Sequence, residues 1–205
     1  MNASTDLSLA MTDEQKWQLL GYLDCLLLWT KAYNLTAITE PKEALIKHVF
    51  DCLAVLPKLP FLDKTGVQVL DIGTGAGLPS VIIAIMRPDW QITALDSNGK
   101  KIRFIKQAVS ELGISNVNPV ASRIEQFDGA FELITSRAFA SLVDFVDLAS
   151  PYLADDGKLS AMKGKAPSSD ELTAVQGVWQ VDVKPLNVPL LPDERCLVEL
   201  TKRID

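Results

Sequence analysis

The stretch Val69-Leu70-Asp71-Ile72-Gly73-Thr74-Gly75-Ala76-Gly77-Leu78-Pro79 decides the fold of this chain. The apolar run that precedes Gly73 predicts a strand covered on both faces. Glycines at alternate positions allow a positive φ and leave room for a ligand, and Pro79 fits the first turn of a following helix. The stretch therefore predicts a buried strand, a glycine turn and a helix, with free backbone N–H groups at the turn.

A second acidic residue indicates what this turn binds. Asp96 ends the next apolar run, Trp90 to Leu95, 23 positions after Gly73. A carboxylate at the end of the second strand is placed to accept hydrogen bonds from both hydroxyls of a ribose. The two features together predict a nucleoside-type cofactor.

The glycine spacing separates two classes of cofactor. Dinucleotide-binding proteins have the pattern G-x-G-x-x-G, and the sixth position here is Leu78. The observed pattern is G-x-G-x-G preceded by the acidic Asp71, which is typical of S-adenosylmethionine-dependent methyltransferases. We therefore predict S-adenosylmethionine as the cofactor, and a dehydrogenase is the weaker alternative.

Composition limits the remaining possibilities. The chain has 205 residues and 48% apolar content, which is enough for a full core. Its net charge of −6 means that nucleic-acid binding would need a local basic patch. The three scattered cysteines show no metal spacing, and neither a membrane-spanning run nor a signal peptide is evident. We expect a cytoplasmic protein without a membrane segment or a metal.

The first 65 residues predict a helical cap. Thr12-Asp13-Glu14-Gln15 has the form of a capping box, and a helix is expected over 13–32. Its predicted apolar face comprises Trp17, Leu20, Leu23 and Leu27. A second helix is expected from Pro41 to Pro57, with its apolar face at Leu45, Val49, Cys52 and Leu56.

From residue 66 to 205 strands and helices alternate, which predicts a doubly wound α/β core. The last two strands are not separated by a long helix, so we expect them to pair antiparallel. This is the class I (Rossmann-like) methyltransferase fold: a mostly parallel seven-stranded sheet with an antiparallel last strand, here preceded by the helical cap. The strands are predicted at 67–72, 91–95, 117–121, 131–135, 158–162, 178–183 and 196–202, and the helices at 78–86, 99–112, 142–153 and 169–176, with a turn at 155–157.

Basic residues gather where the strands are predicted to end. Ligands bind beyond the carboxyl ends of the strands in such sheets. The basic residues there are Arg123, Arg137, Lys163 and Arg195. Each alone would be ordinary solvated loop charge, but together they supply a local positive patch on an acidic chain.

The residues also bear on the methyl acceptor. No cysteine lies where a thiolate could attack a pyrimidine ring, and Thr135-Ser136-Arg137 stands where exocyclic-amine methyltransferases carry an Asn/Asp-Pro-Pro-aromatic turn. Guanine N7 has an in-plane lone pair at neutral pH, so its methylation needs alignment with the methyl group and no general base. A purine N7 is therefore compatible with the absence of an obvious base.

An ordered set of motifs resembles one known family. The set comprises Tyr-Asn-Leu-Thr at 33–36, His48-Val-Phe-Asp51, the turn 73–79, Leu95-Asp-Ser97, Ser122-Arg-x-Glu125, the segment 136–142 and Met162-Lys-Gly164. Together they resemble the bacterial RsmG (GidB) family, which methylates N7 of a guanine in 16S ribosomal RNA. The resemblance covers nearly the whole chain and implies 16S ribosomal RNA or the small ribosomal subunit as partner.

The resemblance also implies site residues. Cofactor contacts are expected at Gly73, Leu78, Ile124, Glu125 and Arg137, with Asp96 at the ribose and Asp71, Gly75 and Gly77 completing the turn. An RNA-facing surface is expected at Asn34, Arg123, Lys163 and Arg195. The family usually has Gly-Pro-Gly-Leu-Pro-Gly in this turn, and this chain departs from that pattern at Ala76 and Ser80.

Several alternatives stay open at this point. A small-molecule methyltransferase would have a deep apolar pocket closed by the N-terminal helices, and a non-catalytic RNA-binding module would bind cofactor without methyl transfer. Asn34 fits a helix C-cap as well as an RNA contact. His48 fits a structural role, with Asp51 fixing its tautomer. The basic helix face at 100–106 fits a solvated surface. No apolar stripe is left over, so we expect a monomer.

Overall fold

The computed structural model describes residues 9–137, 139 and 141–203. Helix α1, Asp13–Tyr33, begins at the predicted capping box, in which the Thr12 side chain accepts from the backbone N–H of Gln15 at 3.1 Å. The Gln15 side chain accepts in return from the backbone N–H of Thr12 at 3.0 Å. The helix ends at Asn34, whose φ of 51° and ψ of 49° make it a left-handed C-cap.

The apolar face predicted for α1 is wrong in part. The helix buries Leu19, Tyr22, Leu23 and Leu26, whereas Trp17 and Leu20 are 58% and 55% exposed. The helix carries apolar residues on most of its sides, so periodicity alone did not fix which side packs on the core. Leu28 is also 64% exposed, so apolar side chains remain uncovered on α1 and the stated reason for expecting a monomer is lost.

The second helical segment begins at Pro41 as predicted, but it is not one regular helix. It comprises α2, Pro41–Ala44, a π-helical stretch, Leu45–Phe50, and α3, Asp51–Leu53. A 3₁₀ turn, Leu56–Lys58, follows where the helix was expected to continue to Pro57. The π-helical stretch contains His48, and π-helical turns are frequent at functional sites.

Seven strands form one sheet in the order β3-β2-β1-β4-β5-β7-β6. Strands β1 to β5 pair parallel, and β7 pairs antiparallel with both β5 and β6, as predicted. The strands are β1 Gln68–Ile72, β2 Gln91–Asp96, β3 Val117–Ala121, β4 Phe131–Arg137, β5 Leu153–Lys163, β6 Trp179–Pro185 and β7 Cys196–Lys202.

Four helices cover the sheet: α4 Ser80–Met86, α5 Gly99–Glu111, α6 Leu142–Ala149 and α7 Ser169–Gln176. Helix α4 begins at Ser80, so Pro79 precedes the helix and does not lie in its first turn. None of the helices in the described ranges is both long and apolar enough to cross a membrane.

The region before β5 departs from the prediction. Helix α6 ends at Ala149, a 3₁₀ turn covers Ser150–Tyr152, and β5 begins at Leu153. The predicted turn at 155–157 therefore lies inside the strand. The pairing register with β4 shifts between Phe131 and Leu133, so the strand absorbs the turn-forming residues as an irregularity.

The helical segments at the start of the chain share one core with the sheet. Tyr22 of α1 lies 6.0 Å from Phe104 of α5 between ring centroids, and both are fully buried. Gln18 of α1 donates to the carbonyl of Leu112 at 3.1 Å. This packing fixes α1 against α5, one of the helices that cover the sheet.

Candidate active site

The glycine turn after β1 has the conformation that its sequence requires. Gly73 has a φ of +67°, and a Cβ there would meet no atom within 4 Å, so this position faces open space. Gly77 has a φ of +92°, and a Cβ there would lie 2.7 Å from Val81 and 3.3 Å from Ile105. Gly73 thus leaves room for a ligand, and Gly77 allows α4 and α5 to pack closely.

Asp71 stabilises this turn through hydrogen bonds to its carboxylate. Its Oδ2 accepts hydrogen bonds from the Thr74 hydroxyl at 2.6 Å and from the Ser80 backbone N–H at 3.2 Å. Burial raises the pKa of Asp71 to about 6, and the bonds from Thr74 and Ser80 act in the opposite direction. The Oδ1 atom has no hydrogen-bond partner among the described residues.

The two departures from the family pattern are part of the turn. The backbone carbonyl of Ala76 accepts the buried hydroxyl of Tyr22 at 2.6 Å, which connects α1 to the turn. The Ser80 hydroxyl lies 2.6 Å from the Thr74 hydroxyl. Ser80 therefore adds hydrogen bonds to the turn, and its side chain is fully buried and points away from solvent.

Asp96 lies at the end of β2 and contacts the same turn. Its Oδ2 accepts from the backbone N–H of Gly75 at 2.9 Å, and its Oδ1 accepts from that of Asn98 at 2.8 Å. The ammonium of Lys101 lies 3.7 Å from the carboxylate. The Lys101 side chain therefore faces the glycine turn, whereas the sequence grouped it with the solvated basic face of α5.

A cleft of about 480 Å³ opens beside this carboxylate. We call it the first cleft. Its lining combines the acidic residues Asp96 and Glu125 with apolar residues such as Leu95 and Leu148. Its lining residues are Ile72, Gly73, Leu95, Asp96, Ser97, Ser122, Arg123, Ile124, Glu125, Phe139 and Leu148.

A second cleft, of about 390 Å³, lies next to the first. Phe139 lines both clefts, and its ring packs 5.3 Å from that of Phe145. Four basic side chains line the second cleft: Lys47, Arg137, Lys163 and Arg195. Its other lining residues are Ile38, His48, Asp51, Phe139, Met162, Gly164, Leu186 and Cys196.

Carboxylates accompany these basic side chains. Lys163 donates to Glu171 at 2.8 Å, and Lys47 donates to Glu43 at 2.7 Å. Asp51 accepts from Nε of Arg195 at 3.1 Å. Its other oxygen lies 3.8 Å from Nη1 of Arg137. The positive charge of the second cleft is thus partly balanced within the protein.

His48 is buried beside these charges and is held by Thr36. Its Nε2 lies 2.8 Å from the Thr36 hydroxyl, and its Nδ1 has no partner among the described residues. Burial lowers the pKa of His48 to about 4, and the positive charge of Arg137 acts in the same direction. The suggestion that Asp51 fixes the tautomer is wrong, because Asp51 binds Arg195.

The predicted site residues divide among these places. Gly73, Asp96, Ile124, Glu125 and Arg123 line the first cleft, and Arg137, Lys163 and Arg195 line the second. Asp71, Gly75, Gly77 and Leu78 build the turn behind the first cleft, and Leu78 is buried. Among the described residues, Asn34 lines neither cleft and serves as the C-cap of α1.

Sequence reasoning misses two residues that line the clefts, Asp51 and Phe139, and also Lys101, which contacts Asp96. The sequence groups Lys101 with the solvated face of its helix, pairs Asp51 with His48, and shows Phe139 only as part of a motif. An aromatic residue shortly after a strand end is a usable signal, and Phe139 follows the last residue of β4, Arg137, by two positions. Nothing in the spacing of Asp51 indicates its two arginine partners, which lie 86 and 144 positions further along the chain.

The fold and the glycine turn together define a class of protein. The strand order, the antiparallel β7 and the carboxylate of Asp96 beside the turn are those of class I S-adenosylmethionine-dependent methyltransferases. A family model described as GidB, rRNA small subunit methyltransferase G, matches residues 15–198. The chain belongs to this family.

Relatives of known name agree with this assignment. The chain is 60% identical over 199 residues to a ribosomal RNA small subunit methyltransferase G of Psychrobacter cryohalolentis, covering 97% of this chain and 82% of the relative. It is 46% identical over 204 residues to a protein of the same name from Acinetobacter baumannii, covering 97% of this chain and 94% of the relative.

Solved structures support the fold alone. The N-methyltransferase NodS of Bradyrhizobium japonicum, in complex with S-adenosyl-L-homocysteine, has a TM-score of 0.60 and 17% identity, covering 82% of this chain and 94% of that one. A SAM-dependent methyltransferase of Aquifex aeolicus has a TM-score of 0.57 and 19% identity, covering 78% and 93%. The predicted class I fold is confirmed.

Proposed function

We propose that this chain transfers a methyl group from S-adenosylmethionine to N7 of a guanine in 16S ribosomal RNA. The observation that carries the proposal is the adjacency of the two clefts, which share Phe139 as a wall. One cleft suits a nucleoside cofactor, and the other presents four basic side chains. Family membership supports ribosomal RNA of the small subunit as the acceptor.

The residues of the first cleft fit the cofactor. Gly73 leaves open space at the turn, and Asp96 offers a carboxylate that is fixed by the backbone of Gly75 and Asn98. Ile124 and Glu125 line the wall that follows β3. When bound there, S-adenosylmethionine supplies an electrophilic methyl group on a sulfonium. Asp71, Gly77 and Leu78 act indirectly in this proposal, by holding the turn in shape.

Methyl transfer to N7 requires the side chains to orient the base and little else. The N7 lone pair is available at neutral pH. His48 is buried, and its pKa of about 4 means that the imidazole stays neutral at that pH. Proximity and orientation contribute roughly 7–11 kcal/mol in the best cases. The protein then acts by placing the base against the methyl group, and the cationic side chains must stay clear of N7, which becomes positive.

The second cleft supplies contacts to the RNA backbone. Lys163 and Arg195 fit this role, and Arg137 lines the same cleft. Arg123, expected on the same surface, lines the first cleft, so it suits the rim where RNA approaches the cofactor. Asn34 is exposed at the end of α1, and an RNA contact there stays a prediction. We further propose that residues 1–65 act as a cap over a cofactor-binding core, 66–205; the first eight lie outside the described residues.

The form of the substrate is also proposed. The guanine would reach the clefts as part of either naked 16S RNA or the small ribosomal subunit. With such a substrate we expect the activity in the cytoplasm. Within the described residues no group of three metal-ligating side chains comes together, and a metal-independent reaction stays a prediction. The monomeric state is likewise a prediction, and the exposed Trp17 and Leu28 make it worth measuring.

The lining of the second cleft distinguishes the alternatives. A small-molecule methyltransferase is expected to have a deep apolar pocket closed by the N-terminal helices. The second cleft instead presents Lys47, Arg137, Lys163 and Arg195, which suits a polyanion better than a small apolar acceptor. A non-catalytic RNA-binding module stays distinguishable only by assay.

The test uses labelled S-adenosylmethionine. The protein is incubated with small ribosomal subunits, and separately with 16S RNA, both from a strain that lacks the activity. We expect label in the RNA of at least one preparation. Cofactor binding without label in either preparation would contradict the proposal and favour the non-catalytic module.

A further inference from the structure

Asp51 is the one carboxylate that contacts two arginines of the second cleft among the described residues. Its side chain is 7% exposed, and it comes from α3, near the start of the chain. Arg137 ends β4, and Arg195 immediately precedes β7. These two strands are separated by β5 in the sheet, so Asp51 connects side chains that the sheet itself does not bring into contact.

The contacts restrict both guanidinium groups. Arg195 donates from Nε to Asp51 at 3.1 Å and from Nη1 to the carbonyl of Glu194 at 2.7 Å. Arg137 lies 3.8 Å from Asp51 and donates to the carbonyl of Lys47 at 3.4 Å. An arginine fixed at two points loses little further freedom when it binds a phosphate or orients a base.

A purely stabilising role explains this arrangement poorly. Burial raises the pKa of Asp51, while Arg195 and Arg137 act in the opposite direction. The attraction of the two arginines therefore does not fully offset the free-energy cost of burying the charged carboxylate, which is common for buried ion pairs. A buried carboxylate that lines the second cleft and contacts two of its arginines calls for another explanation.

We propose that Asp51 is a positioning residue for methyl transfer: it holds Arg137 and Arg195 in the orientation that aligns the acceptor base with the cofactor. The inference rests on the proposed function. Asp51 itself does not touch the reacting atoms, because its two oxygens face the arginines. Its effect on the reaction passes through Arg137 and Arg195, which both line the second cleft.

The test compares Asp51→Asn with Glu199→Gln. Glu199 is a matched control, because it is 9% exposed, accepts from Lys158 and Lys184 at 2.8 and 2.7 Å, and lines neither cleft among the described residues. The active fraction of each variant is first measured by titration with S-adenosylmethionine. Asp51→Asn is expected to lower kcat per active site roughly 10- to 100-fold, as small misplacements of reacting groups do.

The RNA readout separates positioning from folding. Removing the negative charge leaves the arginines free to meet phosphates, so KM for RNA should stay level or fall. The slope of log Kd for 16S RNA against log salt should steepen by roughly 0.7–0.9. Glu199→Gln should leave kcat per active site, KM and the slope unchanged. The inference would be overturned if Asp51→Asn matched Glu199→Gln in kcat per active site, in KM for RNA and in the salt slope.

A double-mutant cycle keeps the inference testable if Asp51→Asn is poorly folded. Arg195→Lys keeps the charge but loses the fixed fork, so it should lower kcat on its own. Asp51→Glu keeps the carboxylate and should recover at least part of the kcat lost in Asp51→Asn. In the Arg195→Lys background, Asp51→Asn should lower kcat per active site by a smaller factor than it does in the wild type. Full additivity would contradict the inference, whereas a wild type that does not methylate RNA at all would contradict the proposed function instead.

Discussion

The carboxylate of Asp96 accepts a hydrogen bond from the backbone N–H of Gly75 at 2.9 Å. The end of β2 is therefore tied directly to the glycine turn that follows β1. This contact orients the carboxylate beside the first cleft and also limits movement of the turn. Asp96 thus holds the turn in shape and, in the proposed function, also contacts the cofactor.

Asp96→Ala should weaken S-adenosylmethionine binding roughly 10- to 100-fold, because hydrogen bonds to a charged group contribute about 1.5–3 kcal/mol. Its affinity for 16S RNA should change far less. Isothermal titration with the cofactor and filter binding with the RNA measure the two quantities. Asp89→Ala is the control, since Asp89 precedes β2 at the other end of the strand and pairs with Arg87. Equal loss of both affinities in Asp96→Ala would refute this division of roles.

Gly73→Ala should reduce cofactor binding by filling the open space at the turn. Gly66→Ala is a closely matched control, because Gly66 has a φ of +71° and likewise has no atom within 4 Å of a Cβ. Both changes should cost about 1–2 kcal/mol of stability from backbone strain. Gly73→Ala should also raise the Kd for S-adenosylmethionine, and by more than Gly66→Ala does. A similar Kd in the two variants would show that Gly73 does not border the bound cofactor.

Lys163→Ala should weaken binding to 16S RNA and lower the salt slope by roughly 0.7–0.9, because one phosphate contact is lost. Lys158→Ala is its control: Lys158 lies on the same strand and pairs with a glutamate at the same distance, 2.8 Å, but outside both clefts in the described chain. Fluorescence anisotropy with an RNA fragment at several salt concentrations measures both slopes. Indistinguishable slopes would remove Lys163 from the RNA surface.

The pKa of His48 gives two expectations about pH. With a folded pKa of about 4, the imidazole is neutral across neutrality, so kcat should be nearly flat there. The folded pKa lies below the unfolded value of about 6.5, so the unfolded chain takes up a proton first as pH falls. The free energy of unfolding should therefore decrease from pH 6.5 towards pH 4. The expected decrease is about 1 to 3 kcal/mol, because a tenfold change in proton affinity between the two states corresponds to about 1.4 kcal/mol.

His48→Gln should remove that acid-dependent loss, which urea unfolding at a series of pH values would measure. Asp71 acts with the opposite sign in the same range, because its raised pKa of about 6 favours the folded state as pH falls. The difference between wild type and His48→Gln isolates the histidine. A bell-shaped kcat profile near neutrality that disappears in His48→Gln would contradict a mechanism without a general base.

Much of the fold follows from local signals. The capping box at Thr12, the apolar runs of the strands and the helix start at Ser169 each depend on neighbours within a few positions. These predictions are confirmed within two residues, except that β5 begins at Leu153, five residues before its predicted start. The glycine turn and Asp96 can be found because their spacing is fixed by the strand-turn-helix unit. These features repeat wherever the unit occurs, so a single sequence reveals them.

Other features depend on packing across the fold, and the sequence does not reveal them. The buried side of α1 is set by the position of α4 and α5, which is why Leu19 and Tyr22 pack and Trp17 does not. The extension of β5 back to Leu153 goes with the pairing of Leu153 to Phe131 of β4, on the far side of residues 155–157. The ion pairs of Asp51 join three distant segments. Site residues of this kind become visible only when the chain is folded.

The most direct measurement of the central claim is the chemical position of the transferred methyl group. 16S RNA treated with the protein and S-adenosylmethionine is reduced with borohydride and cleaved with aniline, which breaks the chain at N7-methylguanosine, and the ends are mapped by primer extension. The account predicts one new cleavage site, dependent on both the protein and the cofactor. Methylated RNA without aniline-dependent cleavage would contradict it, because the methyl group would then lie on an atom other than guanine N7.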